Sequence, residues 1–186
     1  MKFKTFGNKQ IIIRPLLSKD LKVAKKFQNF LSSLIKENAK ITTNRHLSLK
    51  EEINFLKSSL KGIKSKKKVI LVAEDNNSGL VAGLTNIHLK DGRQSHVGHL
   101  GISIRNGYRG MGLGSFLMRE IIGSAKKKLK PRPQILRLSV FPNNKPALKL
   151  YKKFGFKKVA SIPRQFEYGG KLLDEVVMTL DLSNKH

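Results

Sequence analysis

The chain of 186 residues carries 38 Lys and Arg against 12 Asp and Glu, a formal net charge of +26, and has no cysteine. The missing thiols exclude disulfides, thiolate zinc sites and cysteine nucleophiles, while the positive balance favours encounter with polyanions. At 39% hydrophobic residues the chain can bury one substantial core, so a single domain over 1–186 is expected. No apolar run approaches membrane-spanning length, and Met1-Lys2-Phe3-Lys4-Thr5 lacks the apolar core of a signal peptide, which predicts a cytoplasmic protein without membrane contact. Five histidines stand without a ligand spacing, so no metal is expected.

Taken in chain order, residues 11–14 read as a strand. Asp20 then opens an apolar stripe of Leu21, Ala24, Phe27, Leu31, Leu34 and Ile35 at helical spacing. Ser48-x-x-Glu51 is a capping box ahead of Ile53, Leu56 and Leu60, which predicts a second helix. Strands over 69–74 and 80–89 flank the turn residues Asp75-Asn76-Asn77-Ser78-Gly79. Residues 96–104 make the next strand, 112–128 a long helix, 135–140 a strand reached by crossover, and 146–154 a short helix. Strands over 156–162 and 175–182 end the chain, giving an α/β fold with a mixed sheet and helices on both faces. There are no repeats and no linker.

The run Arg109-Gly110-Met111-Gly112-Leu113-Gly114-Ser115 joins a strand to a helix. Glycines at alternate positions let the backbone approach a ligand closely, and the helix start aims unpaired N–H groups and a partial positive charge at the same point. A diphosphate fits such a turn. The dinucleotide fingerprint is excluded, because Ser115 stands where its third glycine belongs and Glu120 is the only carboxylate between Leu113 and Phe166. A Walker A loop is excluded too: Gly107 and Gly112 are correctly spaced, but Leu113 follows where Lys is required.

A second pattern begins at the end of the 135–140 strand: Val140-x-x-x-Asn144-x-x-Ala147-x-x-x-Tyr151-x-x-x-Gly155-Phe156, in which Asn144 precedes Tyr151 by about two helical turns. Together, Arg109-x-x-Gly112-x-Gly114 and this pattern resemble the two signature motifs of the GCN5-related N-acetyltransferases (GNAT superfamily), in order and spacing. Ile11-Ile12-Ile13-Arg14-Pro15 is similar to that family's opening strand, and Tyr168-Gly169-Gly170-Lys171 through Asp174-Glu175-Val176-Val177-Met178 to its closing strands. Between Ser32 and Ser65 no diagnostic pattern stands out.

The resemblance implies a splayed sheet, with the strands ending at Ile104 and Val140 parting around acetyl-coenzyme A as co-substrate. It places the diphosphate on Arg109, Gly110, Met111, Gly112, Leu113, Gly114 and Ser115, and the pantetheine arm on main chain at Ile102, Ser103 and Ile104. Asn144 and Tyr151 would address the same cofactor, with Tyr151 as general acid toward the departing thiolate. The implied reaction is direct attack of a primary amine on the thioester through a tetrahedral intermediate, the amine belonging to a protein N-terminus, a lysine or a small molecule.

For the general base, relatives often use a glutamate on the strand before the turn, whereas here Gly98 occupies one such position. His96 is the candidate, since alternation sets it on the face of Leu100, Ile102 and Ile104; His99 on the other face, Glu74 and an ordered water remain alternatives. The charge keeps open a second reading, a basic nucleic-acid- or ribosome-associated module on the same fold. Its lysines cluster at 64–68 and 126–128 without interleaved aromatics, which favours a solvated surface. The same charge disfavours polycationic acceptors such as spermidine and favours peptide N-termini or amino-acid-like amines. A homodimer is compatible with all of this.

Overall fold

The computed structural model describes residues 1–183. Among these residues eight strands form one sheet: β1 (Lys2–Phe6), β2 (Lys9–Pro15), β3 (Lys68–Asp75), β4 (Val81–Leu89), β5 (Val97–Ile104), β6 (Ile135–Val140), β7 (Lys157–Tyr168) and β8 (Lys171–Asp181). Their spatial order is β1-β2-β3-β4-β5-β6-β8-β7. Every neighbouring pair is antiparallel except β5 and β6, which run parallel because a helix returns the chain between them. Four helices, α1 (Ala24–Lys36), α2 (Leu49–Lys64), α3 (Leu113–Lys128) and α4 (Lys145–Lys153), cover the two faces.

Strand alternation divides the apolar side chains into two cores. On one face Ile11, Ile13, Leu71, Ile87, Leu100, Leu136 and Leu138 pack with Leu113, Leu117, Met118 and Ile121 of α3 and with Tyr151 of α4. On the other, Ile70, Val72 and Val81 meet Phe27, Phe30 and Leu34 of α1 and Leu56 of α2. Full burial of one such side chain stabilises the fold by about 1.5–3 kcal/mol, and this fixes each helix to its face. The capping box at α2 forms as its sequence predicts: the Ser48 hydroxyl accepts from the Glu51 N–H, and the Glu51 carboxylate accepts from the Ser48 N–H at 2.8 Å.

Three elements differ from the sequence reading. β1 is an additional edge strand; its pattern hides only Phe6, and the exposed Lys2 and Lys4 mark it as a protected edge. Asp20 starts no α-helix. It is buried against Arg14 in a bidentate pair at 2.8 Å and also accepts from the Leu17 N–H, so a 3₁₀ turn over Ser18–Val23 precedes α1. β7 continues past residue 162 to Tyr168, because an irregularity between Ile162 and Phe166 lets the strand bend and resume pairing with β8.

Candidate active site

The sheet is open at one place. β5 and β6 pair only through Val97↔Ile135, Gly98↔Leu136 and His99↔Arg137, then part. Beyond that point β5 stays paired with β4 up to Ile104, and β6 with β8 up to Val140, so the facing edges of the two strands form a V. Arg105 N–H donates to the Ala82 carbonyl at 2.9 Å, which sets the alternation along β5. Main-chain groups of Ser103 and Gly101 therefore turn to β4, and those of Ile102 and Ile104 turn into the V. Of the three main-chain positions read from sequence, Ser103 is thus the exception. The Ile102 and Ile104 side chains pack against the α3 core and leave only their backbone to the opening.

At the mouth of the V stands the glycine turn. Gly110 (φ 79°) and Gly112 (φ 92°) hold left-handed conformations, and nothing lies within 4 Å of where a Cβ would stand on either. Gly112 is the N-cap of α3 with no side-chain cap, and the first helical bond is Phe116 N–H to the Gly112 carbonyl. The N–H groups of Leu113, Gly114 and Ser115 are consequently the orphan donors of the helix start, next to the open space at Gly110 and Gly112. Gly114 is small for another reason: a Cβ there would meet Ile104 Cδ1 at 3.1 Å and Leu150 Cδ2 at 3.4 Å. Leu113 is fully buried and Met111 packs against the core, so both offer only backbone. The Arg109 guanidinium donates to the Ile104 carbonyl at 2.8 Å and pairs closely with Glu37 at the end of α1, which ties the turn to the strand and the helix.

α4 closes the V from below. Asn144 is its N-cap, with Oδ1 accepting from the Ala147 N–H at 3.4 Å, which leaves the side-chain amide N–H₂ as donor. Tyr151 is buried beside Phe156, with no hydrogen bond to the described residues. Burial pushes its phenol up to about 12, so it stays protonated.

None of the residues considered as general base occupies the V in a usable state. His96 lies outside the strand, in the turn before β5, where its carbonyl accepts from Gln134 and Ile135. Three residue pairs, about 10 Å of closed strand, separate it from the opening. His99 faces the α1–α2 side stacked on His88, and burial foremost, then the charge of His88, lowers it to about 4, too low to hold a proton near neutrality. Glu74 is on β3, beyond β4, and is occupied by Arg14 and Lys26, each at 2.9 Å. At Gly98 a Cβ would fall 2.8 Å from Leu136 Cδ2 and 2.9 Å from Ile87 Cγ2, so the closed end excludes any side chain at that position.

The sequence reading missed a cavity of about 260 Å³ on the α1–α2 side, formed by the end of α1 and residues 38–44 against Phe141 and Gln165–Gly169. Phe141, the first residue after β6, stacks on Phe166 at 4.2 Å, and Tyr168 meets it edge-on at 5.7 Å. The Tyr168 hydroxyl donates to the Asn38 carbonyl at 2.8 Å. Phe166 and Tyr168, two apart on one strand face, were a legible signal; their partners were not. On the same side of the sheet the Ser139 hydroxyl of β6 donates to the Glu175 carboxylate of β8. Among the described residues no group of His, Asp or Glu is arranged to hold a metal, and no helix is long and apolar enough to cross a membrane.

Comparison with known proteins agrees with this geometry. The chain is 42% identical over 64 residues to the L-amino acid N-acetyltransferase AaaT of Escherichia coli, a match covering 34% of this chain and 38% of AaaT. The crystal structure of a GNAT-family acetyltransferase from Streptococcus pneumoniae is similar at a TM-score of 0.79 and 29% identity, covering 92% of this chain and 99% of that one. A phosphinothricin acetyltransferase from Sinorhizobium meliloti, solved in complex with acetyl-coenzyme A, shares the fold at a TM-score of 0.74 and 18% identity, covering 92% and 88%. Residues 34–156 match the sequence profile of the acetyltransferase (GNAT) family, and the chain belongs to that family.

Proposed function

We propose that the chain transfers the acetyl group of acetyl-coenzyme A to the primary amine of a small, amino-acid-like molecule with an apolar side chain. The observation that carries this reading is the V between β5 and β6, with an uncapped helix start and two open left-handed glycines at its mouth. A diphosphate has donors at Leu113, Gly114 and Ser115, and an amide-rich arm has the main chain of Ile102 and the N–H of Ile104, whose carbonyl is already taken by Arg109. The thioester supplies an activated acyl carbon.

The proton balance follows from the side chains. An ammonium acceptor loses one proton to become the attacking amine, its nitrogen bonds to the acyl carbon, and as the carbon–sulfur bond breaks the nitrogen gives up a second proton, which protonates the released thiolate through water. Thiols ionise near about 8.5, well below a phenol at about 12, so Tyr151 stabilises the thiolate as a hydrogen-bond donor rather than by giving up its proton. Glu175 of β8, held by Ser139 of β6, supplies a carboxylate toward the acceptor's ammonium, and water takes the first proton. The cavity receives the acceptor, its apolar part against Phe141, Phe166, Tyr168, Ile35 and Ile41 and its polar groups toward Asn38, Thr42, Asn44 and Glu167, which also line it. AaaT, by its name, acts on L-amino acids. The net charge of +26 points the same way, against polycationic acceptors.

A panel of primary amines with acetyl-coenzyme A, followed by release of free thiol, tests the assignment. Apolar amino acids should turn over faster than spermidine without any added divalent ion. Tyr151→Phe should lower kcat by about 10²–10³-fold, the loss of one stabilising donor, and leave cofactor affinity nearly unchanged. Absence of thiol release across the panel, with no calorimetric binding of the cofactor, would overturn the reading.

A further inference from the structure

The two lysine runs separated by about 60 positions in the sequence meet in the fold. α2 ends at Lys64 and β3 begins at Lys68; α3 ends at Lys128, and the Lys130 N–H donates to the Lys66 carbonyl at 2.9 Å. Between them lies a concavity of about 350 Å³ lined by Lys66, Lys68, Lys127, Lys128 and Lys130 with Ile63 and Val69, and no carboxylate lines it. This end is the opposite end of α3 from the glycine turn, about 24 Å away for a helix of 16 residues, so these lysines do not form the diphosphate site.

The C-terminal dipoles of α2 and α3 favour a cation or two each, and that accounts for part of the cluster only. Lys66 is harder to assign to local stability. It occupies the left-handed position (φ 58°) that follows the α2 C-cap, with Lys66 N–H to the Ile63 carbonyl at 3.1 Å and Lys67 N–H to the Gly62 carbonyl at 2.9 Å. Glycine suits that position better, yet a lysine stands there, and it lines the concavity. Outside the concavity, Phe55 on α2 is 43% exposed, and Lys68 reaches back along the helix to it, its Nζ donating to the Ser59 hydroxyl at 3.2 Å and lying 5.3 Å from the Phe55 ring centroid. The sequence shows no aromatic within the lysine runs; the fold brings one to them.

We propose that this end of the molecule binds single-stranded nucleic acid, its phosphates held by the lysines around the concavity and one base stacked on Phe55. Lysines act on phosphate as point charges without base preference, and an exposed ring stacks any base, so the surface recognises strand and not sequence. An acidic peptide would use the charge but has no need of the ring.

The test is anisotropy titration of the full chain with a labelled single-stranded RNA of about 12 nucleotides over a range of salt. The logarithm of affinity should fall with the logarithm of salt at a slope near −3.5, about −0.7 for each of five phosphates. Lys127→Glu with Lys130→Glu should lower affinity at least about tenfold and reduce the slope by about 1.4, with melting temperature and acetyl-coenzyme A binding unchanged. Phe55→Ala should lower affinity at least about fivefold without changing the slope. The same charge reversal at Lys157 and Lys158, exposed on the outer strand β7, should do less. The proposal is overturned if that control matches the Lys127 and Lys130 pair, if Phe55→Ala is silent, or if polyglutamate or phosphatidylserine vesicles bind as tightly as the RNA.

Discussion

β5 has two neighbours and treats them differently. Seven residue pairs hold it to β4, from Leu89↔Gly98 to Gly83↔Ile104, whereas three hold it to β6 before the strands part. At the closed end Gly98 lets Leu136 and Ile87 pack directly over the strand; at the open end α4 and the start of α3 fill the space below, with Leu150 and Ile104 meeting at Gly114. An unpaired main-chain polar group kept from water costs about 1–3 kcal/mol, so the edges of the V are held by water or by a ligand. The closed end supports the fold and the open end supports binding.

The comparison can be broken most sharply at Gly112. Valine there must adopt a left-handed conformation that costs about 1–2 kcal/mol and fills the space beside the orphan N–H groups. Calorimetry should then show no saturable binding of acetyl-coenzyme A, while circular dichroism shows a folded protein; normal binding would make the turn merely structural. The converse experiment is Gly98→Val at the closed end. Its Cβ collides with Leu136 and Ile87, and overpacking of this kind should remove about 1–3 kcal/mol of stability in urea titration. Protein that remains folded should bind the cofactor with unchanged affinity. If binding is lost as well, the two ends are not independent.

A smaller effect lies on the α1–α2 side. Glu52 is buried on α2, and burial pushes its carboxyl from 4.5 up to about 6. The folded state therefore holds this proton more tightly than the unfolded chain, and the stability it contributes is present below about pH 4.5 and is lost as pH rises through about 6. Glu52→Gln should raise stability at pH 7 by about 1 kcal/mol and flatten the pH dependence between those values. Cofactor binding should not change.

What could be read from the sequence was what the backbone does locally. The glycine turn, the capping box of α2 and the Asn144–Tyr151 segment are contiguous, and each writes its geometry into residue spacing. The V itself was expected only through family resemblance, since nothing in the runs 96–104 and 135–140 states where their pairing ends. His96 was misplaced because alternation was extended one residue past the true start of β5. The reason for Gly98 is tertiary: only the positions of Leu136 and Ile87 show that no glutamate fits there. The aromatic cavity draws on three separate segments, and the lysine concavity on two, so neither has a sequence period to detect.

The hydrogen bond from Tyr168 to the Asn38 carbonyl joins residues 130 positions apart. It makes the wall of the aromatic cavity a joint between the end of α1 and the last hairpin. The neighbouring residue Glu37 pairs with Arg109 of the glycine turn, so the joint is also tied to the mouth of the V. Under the proposed function, a substitution at Asn38 or Tyr168 that shifts the end of α1 is felt at the diphosphate turn, and the two halves of the reaction are mechanically linked rather than independent.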